Sequence, residues 1–405
     1  MARMMPRSVV GLWVALVLRA ATAHADLPIT YSEALAQAKR RAPSIAVIRA
    51  TEQVAEADSR VAGIYPNPTV SVGTNTEAAR LALNASVPIV ILGQRGAALA
   101  AGRAEYAVAK LDGLVSLADL RATTAHAFVT LWLAERTAKA RADAAAVSER
   151  LEASVRSRVE LGSSPVLEGL RARAERLRTE LDARSAEAAV DAAAANLAMW
   201  TGAGFTNSVR ALGEPGVPDR IPELNELSTH VAQTPSVQRA LLELRASQAR
   251  ASSERAQVRP LLSLDLGADF YDPTLPGVTN YHAQLGVELP LFNQRGPLIE
   301  REERKGVAAR AQVRAEQARL NAELIAGYRT FGVLTNQART LADEVLPAAE
   351  SAARATEESY TLGRAPLVAV LDAERARIDV ELTMVESQGA RANAWIDIER
   401  ALGVQ

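Results

Sequence analysis

Side chains able to act as metal ligands, nucleophiles or acid–base catalysts are few and scattered in this sequence. Its 405 residues include four histidines and no cysteine. His126, His230 and His282 are too widely separated to match the ligand spacing of a zinc site. We find no nucleophile motif, no phosphate-binding loop and no paired catalytic carboxylates. The sequence therefore predicts a protein that is not an enzyme, with no catalytic residue, no metal site and no cofactor.

Two carboxylates, Asp265 and Glu288, occur instead in segments that alternate between apolar and polar side chains. Residues 263–270 and 281–289 alternate clearly, and residues 69–74 and 81–87 less so. Because successive side chains of a strand point to opposite faces, each segment has one apolar face and one polar face. On the polar face, these two carboxylates are expected to line water.

Four strands of about nine residues each are typical of segments that cross an outer membrane. The alternative is the half-buried sheet of a soluble protein. Aromatic residues at the strand ends fit a membrane interface, namely Tyr65, Phe270, Tyr271, Tyr281 and Phe292. Four strands cannot close a barrel, and an open edge is not tolerated in lipid. We therefore expect several copies to pool their strands, with three copies supplying twelve.

Residues 1–25 have the order of a secretory signal peptide. Arg3 and Arg7 precede an apolar stretch, and Ala23-His24-Ala25 fits a cleavage site. The apolar stretch is too short to span a bilayer, which needs about 20 residues, and Arg19 disfavours an uncleaved anchor. Without this leader the basic residues fall from 46 to 43 against 47 acidic ones, a net charge of −4. That balance does not indicate a nucleic-acid partner.

The mature sequence repeats itself once. Ala42-Pro43-Ser44-Ile45 returns as Thr234-Pro235-Ser236-Val237, and Gln94-Arg95-Gly96 returns as Gln294-Arg295-Gly296. We therefore expect two repeats, residues 26–225 and 226–405, joined by a connector rich in glycine and proline. Each repeat is predicted to hold short helices, two strands, a very long helix and a long helix. The strands are expected at 67–75, 80–88, 261–270 and 281–289, and the long helices at 96–161, 165–201, 297–362 and 366–402.

The long helices carry a coiled-coil pattern. Residues 96–161 contain no proline and would form a helix about 100 Å long. Two apolar stripes run along it, as expected for a helix with two neighbours in a barrel wall. The first stripe is Val108, Leu111, Val115, Ala118, Ala122, Ala125, Val129 and Trp132, and the second is Leu114, Leu117, Phe128 and Leu131. The counterpart helix contains Pro347, which predicts a kink. Gly162 with Pro165, and Gly363 with Pro366, predict tight reversals far from the strands.

Several local motifs together carry a family resemblance. They are Ser32-Glu33-Ala34-Leu35, Tyr65-Pro66-Asn67-Pro68, Leu289-Pro290-Leu291-Phe292-Asn293, Val345-Leu346-Pro347, Tyr360 with Leu362-Gly363, and Val370-Leu371-Asp372-Ala373. On them, the whole mature chain resembles the TolC-like outer-membrane efflux proteins, and within that family the branch serving metal-cation efflux pumps. The resemblance implies a mainly α fold with a small β part. It also implies a homotrimer with a 12-strand β-barrel in the outer membrane, four strands per subunit, joined to a long α-helical barrel in the periplasm.

The resemblance also implies partners and site residues. The helical tip would dock a periplasmic adaptor (membrane fusion) protein, which joins an inner-membrane pump of the RND type. The channel would passively conduct metal cations or small toxic compounds, and its barrel would contact outer-membrane lipid. Carried over by motif, the docking residues are Leu161, Gly162, Ser163, Leu362, Gly363 and Arg364. The family's tip constriction often has two carboxylates one helical turn apart. Asp372 matches the second and is the candidate gate, while Ala369 stands at the first.

Two other interpretations of the whole chain stay open at this point. The same duct could serve a type I system that secretes peptides or proteins. A structural or adhesive coiled-coil protein is a further alternative, against which the duplicated strand pairs argue. For Asp372, the alternative to a gate is a solvated helix face or a salt bridge to a neighbouring arginine.

Overall fold

The structure, a computed structural model, describes residues 27–74, 81–203, 209–270 and 277–405. The predicted signal peptide, Tyr271 and the facing ends of the first two predicted strands (residues 75 and 80) lie outside the described residues. Most of the described chain is helical and a small part is β. The mainly α fold class predicted from the sequence is therefore confirmed.

The chain begins with a short strand and two consecutive helices. Strand β1 covers Leu27–Thr30, helix α1 covers Tyr31–Arg41 and helix α2 covers Pro43–Val61. The hydroxyl of Thr30 accepts the N–H of Glu33 at 3.3 Å, and the Glu33 carboxylate accepts the N–H of Thr30 at 2.9 Å. This reciprocal pair is a capping box that satisfies two backbone donors at the start of α1.

A strand pair and two long helices complete the first repeat. Strands β2 and β3 cover Thr69–Gly73 and Leu81–Ile89. Helix α3, Gln94–Glu160, runs unbroken for 67 residues, about 100 Å at 1.5 Å per residue. Helix α4 covers Val166–Thr201. Most of the first predicted stripe of α3 is buried, with Val108, Ala118, Ala122, Ala125, Val129 and Trp132 all inaccessible.

The second repeat follows the same order of elements. Strand β4 (Val209–Leu212) lies in the connector before it. The elements that follow are helix α5 (Leu224–His230), a 3-10 turn (Val231–Gln233), helix α6 (Pro235–Ala256), strands β5 (Leu261–Phe270) and β6 (Asn280–Glu288), and helices α7 (Gly296–Thr340), α8 (Leu346–Thr361) and α9 (Leu367–Ala401). Helices α7 and α8 together occupy the place that α3 has in the first repeat.

The long helix of the second repeat is interrupted where its counterpart α3 is continuous. Five residues with π-helical hydrogen bonding, Leu341–Val345, separate α7 from α8. Pro347 lies in the first turn of α8 and lacks the N–H that a regular helix would donate to the carbonyl of Asp343. The sequence prediction of one helix over 297–362 was therefore too simple, although it located the irregularity at Pro347.

A small two-stranded sheet was not predicted from the sequence. Strand β1 pairs in parallel with β4, from Leu27 opposite Val209 to Thr30 opposite Leu212. Strand β4 lies inside the segment interpreted as a plain connector, and its four residues are too few to reveal a period of two. Ile29 and Val209 are buried in the same core cluster as Phe128 of α3. The pairing thus attaches the connector between the repeats to the first repeat.

The other four strands form one antiparallel sheet in the order β2-β3-β5-β6. Each strand is directly followed or preceded by one of four helices, and these pack in the matching order α2, α3, α6, α7. Strands that are neighbours in the sheet are therefore connected to helices that are neighbours in the helical layer. Among the described residues, no helix combines the length and the apolar character needed to cross a bilayer.

Ion pairs join the two repeats along α3 and α9, near the β1–β4 pairing. The guanidinium of Arg121 donates to both carboxylate oxygens of Glu399, at 2.9 and 3.1 Å, and Arg400 donates to Asp119 at 3.1 Å. Arg121 and Glu399 are largely buried, so their attraction is less screened than that of a surface pair. These contacts fix α9 against α3 at the end away from the reversals.

His126, in the same junction, is expected to stabilise the protein more at acidic than at alkaline pH. Its ring nitrogens lie 3.2 Å from Asp397 Oδ1 and 2.8 Å from Asn393 Oδ1. The hydrogen bond to Asp397 raises the pKa of His126, and this outweighs the opposing effect of burial. A raised folded-state pKa gives stability that is complete below the unfolded pKa, about 6.5, and is lost as pH rises through the folded value. We expect His126→Gln to lower the thermal midpoint at pH 6 and to have a smaller effect at pH 8.5. Equal losses at both pH values would contradict this.

Candidate functional site

One face of the four-stranded sheet is apolar across all four strands. The cross-strand register aligns Val70, Ala85, Leu266 and Ala283 in one row, and the neighbouring row on this face is Val72, Leu83, Ala268 and Tyr281. Val70, Val72, Leu266 and Tyr281 are exposed in a single copy. A continuous exposed apolar surface marks an interaction site. Its strand geometry suits contact with hydrocarbon.

The opposite face of the same sheet is polar. One row aligns Ser71, Asn84, Gly267 and His282, and the next contains Asp265 and Gln284. Within these four strands the acidic residues are Asp265, Asp269 and Glu288, and no lysine or arginine is present. The ring of His282 lies over Gly267, where a Cβ would collide with it. This face is suited to water and carries an excess of negative charge.

Both outer edges of the sheet are unpaired in a single copy. The two helices at the corresponding outer positions also expose apolar side chains there. Strands β2 and β6 are the edge strands. Helices α2 and α7 hold the corresponding outer positions, and both expose apolar side chains, Val47, Val54 and Val61 on α2 and Val307, Ile325 and Val333 on α7. The three valines of α2 recur every seven residues, which is the spacing of a helix–helix seam. Each open edge of the sheet therefore continues into an apolar helix side.

The two predicted reversals connect α3 to α4 and α8 to α9. Gly162 and Gly363 both have positive φ, 74° and 71°, a conformation that favours glycine. The N–H of Ser163 donates to the Arg158 carbonyl and that of Arg364 to the Ser359 carbonyl, each at 2.8 Å. These bonds close the two helices in the same way. At the two turns, Leu161 is 80% exposed and Leu362 67%.

The two reversals lie together at one end of the molecule. Arg158 of α3 donates to the carbonyl of Tyr360 on α8 at 3.2 Å, and its guanidinium lies 4.7 Å from the centre of the Tyr360 ring. Val155, Leu367 and Val370 are buried in the same cluster. The first repeat therefore holds the end of the second through both apolar and polar contacts.

A second polar contact links the repeats close to these reversals. Glu175 of α4 accepts two hydrogen bonds from the guanidinium of Arg375 on α9, at 3.1 and 2.6 Å, and is only 7% exposed. The bond from Arg375 holds the pKa of the Glu175 carboxyl below its ordinary value, against the opposing effect of burial. We call the Arg158–Tyr360 and Glu175–Arg375 contacts together the tip latch.

Asp372 lies beside the tip latch, on an exposed side of α9. Its Oδ1 is 3.6 Å from a guanidinium nitrogen of Arg375. In a single copy Asp372 is therefore exposed to solvent and forms a weak ion pair with Arg375. This is the alternative to a gate: a solvated helix face or a salt bridge to a neighbouring arginine. Its role in gating stays a prediction.

The sequence indicated Asp372 but not the latch. Arg158 and Tyr360 are 202 positions apart, and Glu175 and Arg375 are 200 apart, close to the length of one repeat. Contacts between nearly equivalent positions of two repeats are what a pseudo-symmetric pairing produces. The repeat itself was therefore the signal that could have pointed to these pairs.

Sequence comparison relates the chain to outer-membrane efflux proteins. The model of the family described as "Outer membrane efflux protein" matches residues 227–404. The cobalt-zinc-cadmium resistance protein CzcC of Cupriavidus metallidurans is 26% identical over 353 residues, which cover 84% of this chain and 82% of that protein. The second part of the chain thus resembles this family of outer membrane efflux proteins.

Solved structures of outer-membrane channels share the fold. CusC matches with a TM-score of 0.75 at 19% identity, over 92% of this chain and 91% of its own. VceC of Vibrio cholerae matches with a TM-score of 0.75 at 17% identity, over 92% and 96%. At these identities the likeness concerns the fold alone. None of these relatives is named as an enzyme.

Proposed function

We propose that three copies of this chain form the outer-membrane exit duct of a tripartite efflux system, with their long helices extending into the periplasm. The proposal depends on one observation: the unpaired sheet edges β2 and β6 continue into the exposed apolar sides of α2 and α7. Lipid cannot satisfy the unpaired backbone groups of β2 and β6, so β2 of one copy pairs with β6 of the next. The valine seam of α2 then meets α7 of that same neighbour. Three copies supply twelve strands around one water-filled lumen.

The duct's cargo is proposed to be metal cations. The relative CzcC is named for resistance to cobalt, zinc and cadmium, and this supports export of small toxic ions over secretion of proteins. Among the described residues, no group of three histidine, aspartate or glutamate side chains is placed to hold a metal ion. Cations would therefore pass through water beside Asp265, Asp269 and Glu288 without a dedicated ligand set.

The reversals form the docking end of the proposed duct. Leu161 and Leu362 project from the turns, and Gly162, Ser163, Gly363 and Arg364 complete the same surface. Exposed apolar side chains on closely related turns offer a repeated surface to a periplasmic adaptor. The adaptor would join the duct to an inner-membrane pump of the RND type. Docking would separate the tip latch and widen the tip.

The proposal is tested by the state of the mature chain in membranes. We expect it to fractionate with the outer membrane and to run on a gel as an oligomer of three copies that dissociates on heating. A stable, water-soluble monomer recovered without detergent would refute the closure argument.

Asp372→Asn is expected to weaken the block of the channel by divalent cations. Three carboxylates around one axis would attract such ions, so removal of the charge should raise the half-blocking concentration by about tenfold, equivalent to about 1.4 kcal/mol. The measurement is conductance in a planar bilayer with added magnesium. Glu386→Gln, an exposed change on the same helix farther from the reversal, is the control. An unaltered block would remove Asp372 from the gate.

A further inference from the structure

A cavity of about 410 Å³ lies where the sheet meets the helices. Its lining brings together three arginines from separate segments: Arg95 in the first turn of α3, Arg259 just before β5, and Arg295 just before α7. Arg95 and Arg295 are the matching positions of the Gln-Arg-Gly motif that the repeat places after each strand pair. The proposed duct function makes no use of this motif or this cavity.

Two of the three arginines are held by neutral groups. Arg95 Nε donates to the Gly63 carbonyl at 2.7 Å, and its guanidinium lies 4.4 Å from the centre of the Tyr65 ring. Arg259 Nη1 donates to the Leu92 carbonyl at 2.5 Å. A carbonyl orients a guanidinium without cancelling its charge. Both side chains thus keep a full positive charge and further N–H donors for a ligand.

Neighbouring residues hold Arg259 in its position. Gly93 has a φ of 92°, and a Cβ there would collide with Arg259 Nη1. The buried side chain of Gln94 donates to the carbonyls of Arg259 at 3.4 Å and Pro260 at 3.1 Å. The backbone on both sides of the guanidinium is therefore fixed. The arrangement costs less conformational entropy on binding than a free surface arginine would.

The charge in the cavity is positive overall. Arg295 is paired with Glu254 at 2.7 Å, and Glu288 is the carboxylate in the cavity lining. Arg95 and Arg259 add two charges without carboxylate partners among the described ion pairs. Helix α3 begins at the cavity, and no side chain caps its N-terminus at Gly93. The unpaired backbone N–H groups of the first turn of α3 add partial positive charge.

The cavity also lies at the level where the apolar sheet ends. Ile91 and Leu291 are each 69% exposed and Phe292 is fully exposed, and the first two directly follow the cavity residues Val90 and Pro290 in the sequence. Apolar side chains next to arginines are typical of a membrane interface, where phosphate groups concentrate. Guanidinium groups match phosphate oxygens in geometry and charge.

We propose that this junction cavity binds a phosphate group. Two sources share that chemistry, the headgroup of an anionic phospholipid and free phosphate. In either case Arg259 and Arg95 are the principal ligands, and Arg295 contributes the donors not used by Glu254. The proposal is independent of what the duct carries.

The test uses the purified full-length oligomer in detergent, with two arms. In the first, thermal unfolding is followed with inorganic phosphate against potassium chloride of equal ionic strength. In the second, native mass spectrometry counts bound phosphatidylglycerol against a diacylglycerol that lacks the phosphate. We expect specific binding in at least one arm, and the arm that responds identifies the source.

Arg259→Gln and Arg95→Gln are each expected to weaken that binding at least tenfold. Arg255→Gln is the matched control, because Arg255 is an exposed arginine of the same region that pairs with Glu303 outside the cavity. Using two cavity variants guards against one of them failing to assemble, and oligomer size is checked for each. The proposal is overturned if the unmodified oligomer binds in neither arm, or if the cavity variants bind as tightly as the control.

Discussion

Leu266→Arg is expected to prevent stable insertion of the channel into the outer membrane. Leu266 lies in the middle of β5, on the apolar face, between Ala85 and Ala283 in its row. A cationic side chain on the lipid face of a membrane strand costs about 2–4 kcal/mol at the bilayer midplane. In the proposed trimer all three copies carry the change, so the penalty is applied three times to a single assembly. The expected result is loss of the heat-sensitive oligomer from the outer-membrane fraction.

The matched control for this change is Gln284→Arg. Gln284 lies on the neighbouring strand β6, one row away from Leu266 and on the polar face opposite Asp265. There an arginine meets water and a carboxylate, so assembly should be preserved. Equal assembly of both variants would show that the apolar face does not meet lipid, and it would favour the soluble-sheet interpretation. Loss of assembly in both would point to a general intolerance of arginine in these strands.

Local patterns in the sequence were sufficient for the elements that position these surfaces. The capping box at Thr30 and Glu33, the glycine turns at Gly162 and Gly363, and the alternation in β5 each depend on side chains a few positions apart. Such short-range preferences act in the same way in any context. This is why the faces of the sheet could be assigned before its pairing was known.

Non-local features were beyond the sequence. The parallel pairing of β1 with β4 joins segments about 180 positions apart, and neither is long enough to show a period. Pro347 indicated an irregularity in the helix, but not that it takes the form of the π segment at Leu341–Val345. The buried position of Glu175 likewise follows from the approach of α9, because nothing in the sequence of α4 distinguishes it from the half-buried Glu180.

Glu175→Gln is the change with the largest expected effect on opening. The carboxylate of Glu175 accepts two bonds from Arg375 and lies 3.3 Å from Arg178. A glutamine offers one acceptor and no charge, so the link between α4 and α9 is weakened. Removing one partner of a buried pair costs about 3–5 kcal/mol, but Arg375 is partly exposed, and screening by solvent reduces this to about 1–2 kcal/mol. That is roughly a tenfold shift toward the open tip.

Conductance through a planar bilayer measures this shift, with Glu180→Gln as the control. Glu180 is five positions away on α4 and, within the described part of the chain, its ion pairs are with Arg176 and Arg184 of the same helix, so its loss should leave the conductance unchanged. Protonation of Glu175 at low pH should have the same effect as Glu175→Gln, because both remove the negative charge. Because the pKa of Glu175 is lowered where the pair with Arg375 is formed, the latch is complete above the unfolded value of about 4.3 and is lost as pH falls through the folded value. Unmodified channels should therefore open on acidification, whereas Glu175→Gln channels, already released, should not respond further.

If Glu175→Gln conducts like the unmodified channel at neutral pH, the pair is structural and the restraint on the tip lies elsewhere. Recovery of low conductance on exchanging the charges, with Glu175→Arg and Arg375→Glu in one chain, would identify the pair itself as that restraint.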